Sequence, residues 1–144
     1  MKKIRVSKEF LFEAAHVLDN HDGKCKNIHG HSYKLVITVM GEPKPNESGS
    51  DAGMVIDFTL LKQIVKKEVV DKYDHSLVLK DDSRFKGIEA NNDKTIYVPY
   101  HPTCENLLID IVDSVSRKLP ANSQLVYAKL NETASSYSEW FLED

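Results

Sequence analysis

The chain has 144 residues, 41% apolar and 28% charged, with a formal net charge of −3; that suffices for one real core and is too short for two domains. The mild acidity, with Lys and Arg scattered, argues against a nucleic-acid partner, and no window approaches the ~20 apolar residues of a membrane helix. Met1-Lys2-Lys3-Ile4-Arg5 lacks the apolar core of a secretion signal, and Cys25 and Cys104 are too few for a disulfide scaffold, so a soluble cytoplasmic protein with free thiols, one domain over 1–144, is expected.

Residues 4–16 read as a strand, with Phe10, Phe12, Ala14 and His16 on one face. A polar turn over 19–24 follows, in which His21 is taken as solvated. Cys25-Lys26-Asn27-Ile28-His29-Gly30-His31 then runs into a second strand up to Met40, where His29 and His31 face the same way as Tyr33, Leu35, Ile37 and Val39. Two imidazoles side by side at the root of an apolar face can close on one metal ion. His16, after two small alanines, supplies a third. Three histidines match a catalytic zinc site that keeps a fourth position open. Cys25 lies four residues before His29, near enough either to close that site as a fourth ligand or to serve as a thiol beside it.

Residues 41–53 are loop by composition, and Met54-Val55-Ile56 reads as a short strand. Asp57 or Thr59 can cap a helix whose Leu61, Ile64 and Val65 fall at helical spacing, with Lys62, Lys66 and Lys67 on its solvated face. Asp74 and His75 follow; as neighbours on a regular strand they would face apart, and they cooperate only if the backbone turns there. After Leu77-Val78-Leu79, residues 81–94 are polar and weakly patterned, a loop, and 95–98 a short strand. Thr103 can cap a second helix, with Glu105 in its first turn, an apolar stripe of Leu107, Leu108, Ile111, Val112, Val115 and Leu119, and Pro120 as its stop. Residues 124–132 alternate as a strand, placing Val126, Ala128, Leu130 and Glu132 on one face, and 136–141 can add a last strand. A carboxylate ending an apolar face either reaches solvent or waits for a ligand that donates hydrogen bonds. The order β-β-β-α-(β)-α-β-β describes an α+β domain with a mainly antiparallel sheet.

Six pieces in order, Phe12-Glu13-Ala14-Ala15-His16, Cys25 with His29-Gly30-His31, Gly53-Met54-Val55-Ile56-Asp57-Phe58, Asp74-His75, Pro102-Thr103-Cys104-Glu105-Asn106 and Glu132-Thr133, resemble the 6-pyruvoyl-tetrahydropterin synthase / 6-carboxy-tetrahydropterin synthase family. The resemblance implies the tunnelling fold: a four-stranded antiparallel sheet with two helices on one face, whose subunits join into a β-barrel trimer or hexamer with active sites at subunit interfaces. It implies that His16, His29 and His31 bind Zn2+ and that Cys25 is the general base. His75 would relay the proton with Asp74 beside it, and Glu132 would anchor the pterin of 7,8-dihydroneopterin triphosphate. Thr103 and Glu105 are further substrate-binding candidates, Glu105 being either a pterin contact or only a first-turn helix anion.

Those roles suit the residue types. Zinc chelated by adjacent hydroxyls acidifies the attached positions, and a thiol near a cation and an imidazole ionises more easily than the free ~8.5. Two reactions share such a site: triphosphate elimination to the 6-pyruvoyl product, or further cleavage to the 6-carboxy product with acetaldehyde, on the route to 7-deazaguanines such as queuosine. The three-residue gap between Cys25 and His29 is similar to the carboxy branch. A zinc- and pterin-binding module without turnover is the non-enzymatic alternative. Tyr73, Val78 and Leu79 depart from the family pattern, and the segments 41–53 and 81–100 are longer than in compact members.

Overall fold

The computed structural model describes residues 2–88 and 94–143; Met1, Asp144 and residues 89–93, part of the expected 81–94 loop, lie outside the described residues. β1 (Ile4–His16) and β2 (His29–Gly41) pair antiparallel along their whole length, from Ile4 opposite Gly41 to His16 opposite His29. Phe10, Phe12, Ala14 and His16 of β1 and Tyr33, Leu35, Ile37 and Val39 of β2 are buried on one face, as their two-residue alternation predicts. β5 (Ser123–Asn131) pairs antiparallel with β2, and β6 (Tyr137–Phe141) with β5.

On the other side of β1 lie β3 (Ser76–Lys80) and β4 (Thr95–Val98), both parallel to their neighbours, so the sheet runs β4-β3-β1-β2-β5-β6. This corrects the expected sheet of four strands to one of six, four antiparallel and two added in parallel. β2 leads away from the histidines, the following helical segment brings the chain back, and β3 therefore leaves in the direction of β1. The core of β3 is buried on both faces: Val78 joins the main core, while Leu77 and Leu79 join Val17 in a second cluster against which Phe85 and Ile88 pack. A strand covered on both sides reads as a plain apolar run, which is why its place in the sheet has no alternating signature.

α1 (Phe58–Val65) continues through a π-helical turn (Lys66–Val70) into α2 (Asp71–Tyr73) as one rod. Asp57 caps it, accepting from the Thr59 N–H at 2.8 Å. Its buried residues Leu61, Val65, Val69 and Tyr73 recur every four positions. Such a stripe drifts around a 3.6-residue helix, and the wider π turn takes up the drift. α3 (Cys104–Ser116) is the second rod. Thr103 caps it, accepting from the Asn106 N–H at 3.1 Å, and it buries Leu107, Leu108, Ile111, Val112 and Val115. Both rods pack on the same side of the sheet, and the Tyr73 hydroxyl donates to Asp110 between them.

Two further expectations are corrected. Met54-Val55-Ile56 forms no strand: Val55 and Ile56 plug the core, but the backbone accepts loop bonds, Met54 from the Lys44 N–H at 3.0 Å and Val55 from the Asn122 amide at 3.4 Å. In β5 the register shifts between Thr38 and Val39, which face Tyr127 and Leu125 and leave Val126 as an extra residue. Leu125, not Val126, accordingly joins Ala128 and Leu130 in the core, since one bulged residue reverses the alternation.

Candidate metal and substrate site

Because β1 ends where β2 begins, the strand register alone brings His16 and His29 opposite one another and sets His31 opposite the small Ala14. The ligand nitrogens of His16, His29 and His31 lie within 4.8 Å of one another. His16 Nδ1 contacts the Pro102 carbonyl at 2.7 Å, and His29 Nδ1 the Asn27 carbonyl at 2.8 Å. A carbonyl oxygen only accepts, so both rings carry their proton on Nδ1 and present an Nε2 lone pair. Those two Nε2 atoms are 2.9 Å apart, and Glu132 Oε1 lies 3.4 Å from His16 Nε2 and 3.6 Å from His31 Nε2. The His31 Nε2 is itself buried without a hydrogen-bond partner. Convergent lone pairs repel unless a cation lies among them, and ring orientation by backbone carbonyls is the usual outer support of a metal-binding histidine. The residues fit a divalent metal ion held by nitrogen.

Burial above all pushes His16 down to about 4, with the His29 and His31 imidazoles adding to it against the pull of the Pro102 carbonyl. His31 is lowered mainly by burial, against the Glu132 carboxylate. Both rings are thus neutral near pH 7, the form that binds metal. The depressed His16 also sets an acid limit. In metal-free protein the unfolded histidine takes a proton near 6.5 and the folded one only near 4, so stability is present above 6.5 and is lost as pH falls toward 4. Urea midpoints should show a loss of about 2 kcal/mol between pH 7 and 5 from this group, absent in His16→Asn; equal pH dependence in the two proteins would refute it.

Cys25 sits in a three-residue 3₁₀ turn (Lys24–Lys26), half-buried and free. Among the described residues the convergent group contains the three histidines and not Cys25. Asp74 and His75 are in contact. His75 has φ 59, the left-handed region, and this turn brings its Nδ1 to 3.1 Å from Asp74 Oδ2. Asp74 Oδ1 accepts from the Glu13 N–H at 2.9 Å, and His75 N–H donates to the Glu13 carbonyl at 2.5 Å. The Glu13 N–H, with His75 next, holds the Asp74 carboxyl below the usual range. His75 is 78% exposed and borders a hollow of about 410 Å³ with Glu13, Ala15, Gly30, Ser32 and the candidate ligand His31. Cys25 does not line it.

Glu132 also borders a second hollow, of about 420 Å³, with Cys104, Glu105, Tyr137, Ser138 and Glu139. Glu105 is thus brought near Glu132. Thr103 does not line the hollow; its oxygen is engaged in capping α3. Cys104 is buried, its thiol 3.2 Å from the Leu130 carbonyl and pushed up by burial.

A sequence model described as 6-pyruvoyl tetrahydropterin synthase matches residues 5–142. The chain belongs to that family. It is 37% identical to the 6-carboxy-5,6,7,8-tetrahydropterin synthase of Haemophilus influenzae over 143 residues, covering 94% of this chain and 97% of that one. It is 32% identical to the protein of the same name from Rickettsia conorii over 141 residues, covering 94% and 99%. The fold matches the 6-pyruvoyl tetrahydropterin synthase of Caenorhabditis elegans with a TM-score of 0.69 at 24% identity, over 99% of this chain and 98% of that one.

For this member of the 6-pyruvoyl tetrahydropterin synthase family, the sequence reading missed the carbonyls of Pro102 and Asn27 that orient the histidines and the Glu13 backbone that secures Asp74 and His75. Backbone groups carry no residue signature, so no motif could have marked them. No helix among the described residues is long and apolar enough to cross a membrane.

Proposed function

We propose that this chain is a zinc-dependent 6-carboxy-5,6,7,8-tetrahydropterin synthase, a carbon–carbon lyase converting 7,8-dihydroneopterin triphosphate to 6-carboxy-tetrahydropterin, acetaldehyde and triphosphate on the route to 7-deazaguanines such as queuosine. What carries the reading is the convergence of three imidazoles beside Glu132 in a chain similar over nearly its full length to proteins of that name. The supply of free, reduced Cys25 and Cys104 suits the cytoplasm.

Zinc held by His16, His29 and His31 would act as a Lewis acid on the hydroxyls of the substrate side chain. Glu132 would accept parallel N–H bonds from the amino-pyrimidinone edge of the pterin. Its carboxylate stands between the histidines and the hollow that Glu105 borders, so a ring held there would aim its side chain at the histidines. Glu105 would be a second contact, and Thr103, by fixing the start of α3, would keep Glu105 in place. Cys25 would remove the proton, and His75 would carry it onward with Asp74 holding the ring. Cys25 does not line the hollow that His75 borders, which supports self-association as a trimer or hexamer: a neighbour's His75 would meet the Cys25 thiol beside the histidines, and pairing would cover the open edges at β4 and β6.

Incubation of purified protein with 7,8-dihydroneopterin triphosphate should release acetaldehyde and a 6-carboxy product identified by mass. The 6-pyruvoyl product without acetaldehyde would assign the sister reaction, and no consumption of substrate would leave a binding module.

A further inference from the structure

Nothing in the reaction accounts for the segment after β3. Phe85 and Ile88 anchor it on the far side of β3, against Val17, Leu77 and Leu79. From that anchorage Arg84 donates from Nη2 to the carbonyl of Lys26, the residue after Cys25. Asp19, in the loop leaving β1, seats it. Asp19 Oδ1 accepts from the Ser83 hydroxyl at 3.1 Å and the Arg84 N–H at 3.2 Å, and stands 3.7 Å from Arg84 Nε. The Asp19 side chain is only 16% exposed, so its charge is partly desolvated and its hold on the guanidinium is less screened than at an open surface.

The turn that carries Cys25 is short and has little else to fix it. Among the described residues its bonds to the rest of the chain are Leu18 N–H to the Cys25 carbonyl at 2.8 Å and the Arg84 contact; the remainder are local, such as Asn27 N–H to the Lys24 carbonyl at 3.0 Å. The next carbonyl along, that of Asn27, orients His29. Arg84 therefore grips the backbone between the thiol and a ligand-orienting group. A guanidinium only donates and a carbonyl only accepts, so the contact has one polarity and is charge-assisted.

We infer that Arg84, seated by Asp19 and anchored through Phe85 and Ile88, is a positioning residue that holds the Cys25 turn against the metal site. This rests on the reading of Cys25 as the base. A displacement of about 1 Å at a reacting group can cost up to ~10²-fold in rate, and loss of one of two tethers at the turn falls inside that range.

The test uses the full chain loaded with zinc. In Arg84→Ala, kcat should fall about tenfold with KM and zinc per chain unchanged, and the rate of Cys25 alkylation by iodoacetamide, followed by peptide mass, should change by about threefold or more. Arg84→Lys, which keeps a charged donor, should recover most of both. Asp19→Asn keeps the side-chain shape without the charge and should move both readouts the same way by less; it carries the test if Arg84→Ala does not fold. Unchanged kcat and alkylation would overturn the proposal, as would a rise in KM alone, which would make Arg84 a contact to the substrate's triphosphate. Alkylation is read without substrate. If the wild-type protein turns nothing over, the synthase reading fails while a shifted alkylation rate still upholds the tether and an unshifted one refutes it.

Discussion

Cys25→Ala is expected to lower turnover by about 10²–10⁴-fold while zinc stays near one per chain. The expectation separates two things a thiol near three imidazoles can do. As a ligand, its removal would release metal. As a base, its removal leaves the metal in place and the proton without an acceptor. Its absence from the convergent group supports the second. The same variant tests how protomers cooperate. Cys25→Ala and His75→Ala should each be nearly inactive alone. Because His75 opens into a hollow that Cys25 does not line, unfolding and refolding the two together should regenerate activity in mixed assemblies, where some interfaces carry an intact thiol and an intact imidazole. No recovery at equal mixing would place thiol and relay within one protomer. Loss of zinc from Cys25→Ala would make the sulfur a ligand.

His16→Ala should have the other large effect. Altering an outer partner of a metal site costs ~10–100-fold in affinity, and removing one of three ligands should cost more, so zinc recovered after dialysis should fall well below one per chain and turnover with it. The change also deletes a side chain only 1% exposed and strands the Pro102 carbonyl, at about 1–3 kcal/mol. Zinc by mass spectrometry and a urea titration report the two effects separately. A variant that kept full zinc and full turnover would remove His16 from the site and leave His29 and His31 without a third nitrogen.

The three-histidine cluster was the most legible part of this chain, for a simple reason. Strand side chains alternate strictly, so Phe10, Phe12, Ala14, His16 and His29, His31, Tyr33 could each be assigned to one face from spacing alone. Register could not be read, yet it is register that sets His16 opposite His29. The same alternation misled at β5, because a bulge inserts a residue without changing composition, and Val126 exchanged places with Leu125. β4 was legible as a short strand and β3 as an apolar run, but the parallel pairing of neither was, since their partners are chosen by the return of the helical rod. Asp74 and His75 were legible as a condition, cooperation only if the chain turned, and φ at His75 meets it. Residues 81–88 were least legible of all: two apolar residues, Phe85 and Ile88, in a polar stretch look like loop, and only the second cluster explains what they do.

The left-handed backbone at His75 has an evolutionary implication. Outside glycine and, less often, asparagine or aspartate, that conformation is uphill by roughly 1–2 kcal/mol. Heat-tolerance screening blind to chemistry would reward glycine at this site and, with His75 as the proposed relay, silence the protein in doing so. An imidazole persisting there in a sturdier descendant would be a mark of selection for what the ring does, made at the expense of what the main chain prefers.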